Sequence, residues 1–409
     1  MSKKVIVTGA TGQTGSYMVE YLLKNTQNTV ICAVRRTSQA ILSNLKDVLD
    51  NPRVKLVNMD LCDPHSIDHV IQTEKPDFLL NFGAASFVAD SWQNPALYFQ
   101  QNAISLIHIL ESVRKHVPFC RVYSAGSSEQ WGDVKYSPQD EKHPMSPRSP
   151  YGATKCAAGL IAKVWRESYG LYVVHGILLN HESERRQEYF VTRKITKAVA
   201  RIKKYMDQGK NFEPLTLGNI RTKRDWSHAE DFVGGVWMMM NQDIFREQEV
   251  GQRSEKWHAL CKEKNLIIGS MGLAHYTESE LKDYYESLIK AYHVFLSQNI
   301  QEYVLSSNET HEVKEFVEKA FAVAGISGRW HNIQPDNPLT EEFILCEKNG
   351  LATKEKIVLM AVDSQFFRLA EVDLLWGDST KARQELGWTP KVSFDQLVRR
   401  MTENDLNNP

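Results

Sequence analysis

The sequence predicts an α/β fold: a Rossmann-type, doubly wound parallel sheet followed by a smaller C-terminal lobe that binds a substrate. Two observations carry this prediction. Short apolar strands alternate with helical patterns over residues 1–179, and the alternation fades beyond Leu179. A glycine-rich turn directly follows the first strand, as in folds that bind a nucleotide at the carboxyl edge of a parallel sheet.

Composition narrows the class of protein. A chain of 409 residues, 42% hydrophobic and 24% charged, is long enough for two or three lobes with ample core. A net charge of −1 gives no reason to expect nucleic acid or an anionic membrane as a partner. The six cysteines include no Cys-x-x-Cys pair, so we expect reduced thiols, no metal site and a cytoplasmic location. No signal-like or membrane-length apolar segment stands out.

The first strand is predicted at residues 4–8, and an amphipathic helix runs to about Lys24. Gly9, Gly12 and Gly15 lie between and within these elements. Glycines let the backbone approach a pyrophosphate, and the positive end of the helix stabilises its charge. We therefore interpret the turn as a dinucleotide site, with an ordinary tight turn as the alternative.

The second strand, residues 29–34, ends at Arg35 and Arg36. Many NAD enzymes have an acidic residue here that binds the ribose 2′-hydroxyl. Two guanidinium groups suit a 2′-phosphate instead, so the pair favours NADP over NAD. The alternative is a solvated basic pair.

The rest of the sheet follows from further apolar runs. Asp60 follows one of them and is placed to meet an adenine edge, and the small residues at 83–85 permit close approach of a cofactor. The further predicted strands are residues 54–58, 78–82, 121–125 and 172–179, and predicted helices cover 94–117 and 149–169.

Residues 124–155 contain the predicted reaction centre. Ser127, Ser128 and Glu129 end a strand at the carboxyl edge of the sheet. Tyr151 and Lys155 are spaced i and i+4 on a helix, so they share a face. A lysine ammonium beside a tyrosine favours the phenolate, which would make Tyr151 a proton acceptor near neutral pH, and Glu129 is a second acid/base group.

We predict a Rossmann domain at 1–179, with a return near 218–242, and a substrate lobe at 180–409. Scattered basic residues in the lobe suggest a diphosphate clamp on a second ligand. Two segments, 243–299 and 336–361, stand apart. A helical stripe in the first predicts a helix packed on the lobe or, alternatively, a partner contact: Leu281, Tyr284, Leu288, Tyr292 and Phe295.

Several motifs together resemble the GDP-mannose 4,6-dehydratase family, a group of extended short-chain dehydrogenases/reductases. They are VTGATGQTG at 7–15, Arg35-Arg36, AGSSE at 125–129, RSPY at 148–151, NHES at 180–183, FVTRKIT at 190–196, RDW at 224–226 and EVD at 371–373.

The resemblance implies conversion of GDP-mannose to GDP-4-keto-6-deoxymannose with bound NADP, in a homodimer or homotetramer. It implies that Tyr151, assisted by Lys155, takes the C4 hydroxyl proton, that Ser127 binds the C4 oxygen, and that Glu129 acts at C5 and C6. Implied cofactor residues are Gly9, Thr11, Gly12, Gln13, Gly15, Arg35, Arg36, Asp60, Leu61, Tyr151, Lys155, His181 and Arg186. Implied substrate residues are Ser86, Ser128, Asn180, Val191, Lys194, Arg224, Arg368 and Glu371.

The chain departs from the family pattern in four ways. Phe87 stands where a histidine is usual, and Glu184 and Leu369 each replace a proline. The fourth departure is the pair of segments at 243–299 and 336–361, which we interpret as insertions.

Two alternatives remain open. A 4-epimerase or 4-keto reductase of the same fold needs the serine, tyrosine and lysine but no base for C5, so Glu129 favours the dehydratase. A catalytically inactive NADP-binding regulator is the second alternative.

Overall fold

The computed structural model describes residues 2–36, 42–242, 299–334, 337–348, 351–352, 356–367 and 371–408, with Asp283, Ser287, Ala291 and Phe295. A seven-stranded sheet, parallel at every pairing, organises the first half of the chain, in the order β11-β6-β5-β4-β1-β2-β3. This confirms the predicted Rossmann-type α/β fold. The strands are β1 Lys4–Thr8, β2 Thr29–Val34, β3 Val54–Asn58, β4 Phe78–Asn81, β5 Arg121–Ala125, β6 Val173–Leu178 and β11 Val304–Leu305.

Helices cover both faces of this sheet because alternate strand residues point to opposite sides. Val5 and Val7 face a core that includes α1 and α7, whereas Ile6 faces a core that includes α2, α4 and α5. The helices are α1 Gln13–Asn25, α2 Pro64–Glu74, α3 Pro95–Phe99, α4 Ser105–His116, α5 Pro150–Tyr169, α6 Val191–Asp207, α7 Ala229–Met240, α8 Val313–Val323 and α9 Phe394–Asn407. None of these described helices has the length and apolar character needed to cross a bilayer.

The helix predicted at 94–117 is interrupted. A π-helical turn at Gln100–Ile104 lies between α3 and α4. The side-chain amide of Asn102 accepts a hydrogen bond from Ala85 N (2.9 Å). It donates to Ala85 O (2.9 Å) and to the Thr154 hydroxyl (3.0 Å). The turn therefore ties α4 to the loop after β4 and to α5, which carries Tyr151.

A third core lies among α6, α8 and α9 and the four-stranded sheet β13-β14-β17-β8. Residues 336–361, predicted to be an insertion, contribute strands to this sheet: β14 pairs with β13 and β17, and β17 pairs with β8. The remaining strands are β7 Asn180–Glu182, β8 Leu215–Leu217, β9 Lys223–Arg224, β10 Trp226–His228, β12 His311–Glu312, β13 Gly328–His331, β14 Glu342–Leu345, β15 Glu347–Lys348, β16 Leu351–Ala352, β17 Val358–Val362 and β18 Leu374–Leu375.

The chain returns to the central sheet after entering this second region. Helix α7 packs against α1, β5 and β6, and β11 extends the sheet beyond β6. The domain boundaries proposed from the sequence stay a prediction. Of the helical stripe in 243–299, Phe295 alone is described, and it is buried in the core beside α7; the other four residues lie outside the described part of the chain.

Candidate active site

The glycine-rich turn joins β1 to α1 at the carboxyl edge of the sheet. Gly9 has φ +62°, and a Cβ on it would lie 2.8 Å from the backbone of Gly83 after β4. A Cβ on Gly15 would lie 2.2 Å from Gly9 O, so the helix packs directly on the turn. Gly12 is the N-cap of α1 and offers no side chain to its free N–H groups. This leaves a backbone cradle for an anion beside Thr11.

Leu61 and Asp60 border the same cradle. A Cβ on Gly83 would lie 2.5 Å from Leu61 Cδ1, so Leu61 packs against the two glycine-containing loops. Asp60 is exposed at the end of β3, and its Oδ1 accepts a bond from Cys62 N at 2.9 Å. The sequence-predicted adenine-edge position is thus occupied by a carboxylate held in a local turn.

Arg35 and Arg36 are exposed immediately after β2. Neither makes an ion pair with another residue in the described ranges, and residues 37–41 lie outside them. Two unneutralised guanidinium groups at the edge of the sheet form a suitable site for a phosphate.

The loop after β6 contacts the first turn of α1. Gln13 Nε2 donates to His181 O (2.9 Å), and His181 Nε2 lies 2.9 Å from Thr14 Oγ1. Burial lowers the pKa of His181 to about 4, so its ring is neutral. Arg186 lies over the ring of Phe190 at 3.5 Å from the centroid, and its Nε is 3.1 Å from Glu182 Oε2. His181, Gln13 and Arg186 therefore gather beside the cradle.

Glu184, which stands where a proline is usual, is the centre of a network in this loop. It accepts hydrogen bonds from Tyr17 of α1 (2.9 Å) and Arg400 of α9 (3.1 Å) and lies 3.2 Å from His228 Nε2. Burial alone would raise the pKa of Glu184, but the hydrogen bond to His228 and the charge of Arg400 outweigh it and hold the pKa well below its usual range. A proline could make none of these contacts.

The turn after β5 carries Ser127, Ser128 and Glu129. Ser127 caps a 3₁₀ turn at Ser128–Gln130, and its Oγ accepts from Glu129 N at 3.3 Å. Ser128 is 2% exposed and Glu129 9% exposed. A carboxylate is thereby held in a nearly enclosed position directly after the strand.

Tyr151 and Lys155 project from α5 toward this turn. Burial raises the pKa of Tyr151 to about 12, with the negative charge of Glu129 adding to the rise and a hydrogen bond with Ser127 opposing it. Ser127, Glu129 and Tyr151 thus lie within interaction distance of one another. Lys155 Nζ donates to Ala125 O at 2.8 Å and lies 5.7 Å from the Tyr151 ring centroid.

The sequence-based expectation of a Tyr151 phenolate near neutral pH is therefore wrong for the protein alone. Burial raises the pKa of the tyrosine to about 12, and the pKa of Lys155 is lowered to about 8 because its ammonium is buried too. Tyr151 is protonated at neutral pH in the protein alone, and a lower pKa requires a positive charge that binds beside it.

Three of the residues assigned to a second ligand lie on β7 and α6. Asn180, on β7, has a buried Oδ1 with no hydrogen-bond partner among the described residues. Buried oxygens usually accept a hydrogen bond, so this atom is suited to accept one from a ligand. Val191 begins α6, and Lys194 lies one turn on, 3.5 Å from the Phe366 ring centroid. A cleft of about 830 Å³ runs along α6 from Lys194 and is lined also by Lys197, Arg201, Lys204 and Lys210.

Arg224 and Glu371 form an ion pair. Arg224 is 7% exposed, and its NH2 lies 3.2 Å from Glu371 Oε1. Arg368 lies outside the described residues. Ser86 is exposed in the loop after β4.

Sequence reasoning missed the aromatic cluster formed by Phe87, Tyr189 and Phe190. The Phe87 ring centroid is 4.6 Å from that of Tyr189 and 5.5 Å from that of Phe190. Tyr98 donates to Phe87 O at 2.6 Å and meets Tyr151 edge-on, with centroids 6.4 Å apart. The loop in which phenylalanine replaces histidine is therefore connected to the reaction centre, a link between distant segments that spacing in the sequence does not indicate.

Fold and site together define a Rossmann-type enzyme with a serine–tyrosine–lysine centre, of the extended short-chain dehydrogenase/reductase class. The family model for GDP-mannose 4,6 dehydratase matches residues 6–271 and 279–401. This match includes all of the segment 336–361 and all of 243–299 except residues 272–278, the two segments interpreted as insertions. The chain belongs to the GDP-mannose 4,6-dehydratase family.

Individual relatives agree with this membership. GDP-mannose 4,6 dehydratase 1 of Arabidopsis thaliana is 34% identical, covering 99% of this chain and 90% of its own. GDP-mannose 4,6 dehydratase of Homo sapiens is 33% identical, covering 98% and 91%.

Solved structures show the same fold at lower identity. A dTDP-glucose 4,6-dehydratase from Bacillus anthracis, in complex with NAD, matches with TM-score 0.66 and 18% identity, covering 100% of this chain and 97% of its own. RMD from Pseudomonas aeruginosa, complexed with NADPH, matches with TM-score 0.64 and 16% identity, covering 100% and 99%.

Proposed function

We propose that the protein is a nucleotide-sugar 4,6-dehydratase that converts GDP-mannose to GDP-4-keto-6-deoxymannose. One observation carries the proposal: the nearly buried carboxylate of Glu129 lies two residues beyond Ser127, close enough to perturb the pKa of Tyr151. Of the side chains, oxidation at C4 needs only the serine, tyrosine and lysine, with the nicotinamide as hydride acceptor. Loss of water across C5 and C6 also needs a base for the C5 proton and an acid for the departing hydroxyl.

The residues at the carboxyl edge of the sheet fit a nicotinamide dinucleotide. The free N–H groups of α1 would hold its pyrophosphate. Gly9 and Gly83 have no side chains, so the dinucleotide can come close to the protein backbone there. Bound there, the dinucleotide supplies a hydride acceptor for C4, a hydride donor for C6 and a positive charge that favours the tyrosine phenolate. We propose NADP rather than NAD, because Arg35 and Arg36 suit the 2′-phosphate.

Residues of the chain carry out the proton transfers of oxidation and elimination. Tyr151 takes the C4 hydroxyl proton while Ser127 hydrogen-bonds the C4 oxygen, and the buried ammonium of Lys155 stabilises the resulting negative charge. The C4 ketone then acidifies the C5 proton, which Glu129 removes. Protonated Glu129 donates to the C6 hydroxyl as it leaves as water, and C5 takes a proton that originates from solvent when hydride returns to C6.

The nucleotide end of the substrate is assigned to the region around α6. The unpartnered Asn180 Oδ1 can accept a hydrogen bond, and Lys194 opens onto a cleft rich in cations, which suits a diphosphate. We propose that Val191, Arg224, Glu371 and Arg368 complete the set, with Ser86 and Ser128 on the sugar side.

We also propose a homo-oligomer. Apolar side chains on adjoining helices are exposed, with Leu160 (57%) and Val164 (50%) one turn apart on α5 and Leu97 (47%) on α3. A second copy covering this face would bury them. Sedimentation should show a dimer or larger at micromolar concentration, with Leu160→Glu shifting it to monomer; a monomeric wild type would contradict the proposal.

We place the enzyme in the cytoplasm. Cys32, Cys62, Cys120, Cys156 and Cys346, the cysteines of the described chain, are all free thiols, which fits a reducing compartment.

The proposed function is tested by incubating the purified protein with GDP-mannose and following the mass of the nucleotide sugar. Loss of one water without net consumption of added cofactor supports dehydration. An unchanged mass with altered stereochemistry at C4 would indicate an epimerase, and stoichiometric oxidation of NADPH with a 4-keto sugar would indicate a reductase. If the protein binds NADP tightly but leaves GDP-mannose unaltered, the catalytically inactive regulator is the remaining interpretation.

A further inference from the structure

His175 is a buried histidine that the proposed reaction does not use. It lies on β6 and is 1% exposed. Its Nδ1 is 3.1 Å from Ser124 Oγ on β5, and its Nε2 is 3.2 Å from Gln130 Oε1 at the end of the 3₁₀ turn. Both ring nitrogens are therefore engaged by the strand and the turn that flank Ser127 and Glu129.

The protonation state of this ring follows from its partners. Gln130 Oε1 can only accept, so Nε2 carries the ring proton and the Ser124 hydroxyl donates to Nδ1. Burial lowers the pKa of His175 to about 3, and the nearby charge of Lys155 acts in the same direction. The imidazole is neutral at physiological pH and holds its two neighbours without taking part in proton transfer.

Glycines make room for the ring on both sides. A Cβ on Gly126 would lie 2.6 Å from His175 Nε2, and one on Gly159 would lie 3.1 Å from it. Gly126 immediately precedes Ser127, and Gly159 lies one helical turn beyond Lys155. The imidazole thus fills the space between the end of β5 and α5, the two elements that carry the reactive groups.

Gln130 transmits this anchoring to the catalytic turn. Its side chain is 0% exposed, and its Nε2 has no partner among the described residues, so within them the bond to His175 is what orients the amide. Its backbone N donates to Ser127 O at 3.1 Å and its O accepts from Cys156 Sγ at 3.2 Å. Glu129 is the residue between these anchored points.

We propose that His175 is a positioning residue for Glu129, holding the Ser128–Gln130 turn through Gln130 so that the carboxylate faces the C5 proton. The proposal rests on the proposed dehydration, in which Glu129 transfers protons only in the elimination half. Lys155 is anchored separately through Ala125 O. Loss of the His175–Gln130 bond should therefore slow elimination and spare oxidation at C4.

Two substitutions at the same site separate the two ring bonds. His175→Gln places an amide nitrogen near the Nε2 position and can keep the bond to Gln130. His175→Asn places its amide oxygen near the Nδ1 position, where it can accept from the Ser124 hydroxyl, and keeps only that bond. In single turnovers with GDP-mannose, the Asn variant should eliminate water roughly a hundred-fold more slowly, since a shift of about 1 Å in a catalytic group costs about that much. Its reduced nicotinamide should form at least as fast as in wild type and persist, whereas the Gln variant should resemble wild type in both halves.

Gln130→Leu is a second route to the same bond and leaves the histidine in place. It should reproduce the Asn variant. Equal behaviour of the Asn and Gln variants, or a parallel loss of oxidation and elimination, would overturn the proposal.

Crystal structures of the wild type and the two His175 variants provide a readout that needs no reaction. The 128–130 turn should move in the Asn variant and stay in place in the Gln variant; a turn that stays in place in both would overturn the positioning role. A wild-type enzyme that releases no water would instead refute the proposed function, so the two failures are distinct.

Discussion

Replacing Glu129 with glutamine should slow the elimination of water but not the oxidation at C4. The substitution keeps the size of a side chain that is 9% exposed and removes both its basicity and its charge. Loss of a general acid/base costs about a hundred-fold to ten-thousand-fold, equivalent to roughly 3–5 kcal/mol of activation free energy at 1.36 kcal/mol per tenfold. Elimination should slow by that factor.

Oxidation at C4 should not slow with it. The charge of Glu129 raises the pKa of Tyr151, so its removal makes the tyrosine easier to deprotonate. Rapid mixing with GDP-mannose should show absorbance of reduced nicotinamide that appears at least as fast as in wild type and then persists, with little 4-keto-6-deoxy product by mass. Glu74→Gln is the matched control, because Glu74 is also nearly buried but pairs with Lys55 away from the site. Near wild-type turnover of Glu129→Gln would refute the role assigned to this carboxylate.

Three further outcomes are expected. Tyr151→Phe should yield neither reduced nicotinamide nor product, and product formation within tenfold of wild type would contradict its role as proton acceptor. Replacing both Arg35 and Arg36 with alanine should weaken NADP binding by roughly 10- to 100-fold per lost charged hydrogen bond, measured by calorimetry, and leave NAD binding nearly unchanged; equal losses would exclude a 2′-phosphate contact. Glu184→Gln should lower the free energy of unfolding by about 1–3 kcal/mol at pH 7. Because the folded-state pKa of Glu184 is depressed, this stabilisation is present above its unfolded pKa of about 4.3 and fades as the pH falls further, so wild type and variant should converge in acid denaturation.

The sequence was sufficient to locate the sheet because most of its strands are short apolar runs buried on both faces, and the edge strand β3, though largely exposed, keeps its β-branched pattern. Strands β1, β2, β3 and β5 begin and end at the predicted residues. The glycine turn was equally visible, since the positive φ of Gly9 and the contact between Gly15 and Gly9 O each require a missing side chain. Local chemistry explains these successes.

The failures involve contacts between distant segments. The π-helical turn depends on Asn102 reaching Ala85 and Thr154, and nothing in its own window signals that. The high pKa of Tyr151 depends on how completely the fold buries it, whereas i, i+4 spacing shows only that Lys155 is near. His175 on β6 contacts Gln130 in the turn after the neighbouring strand β5. In sequence, His175 is one polar residue within an apolar run.

Following a deuterium label from C4 of GDP-mannose tests the account most directly. Intramolecular dehydration returns the label to C6, so the product should be lighter by one water and carry the deuterium in its methyl group, with a solvent hydrogen at C5. Deuterium recovered in released reduced cofactor, or retained at C4 of a sugar of unchanged mass, would contradict the account.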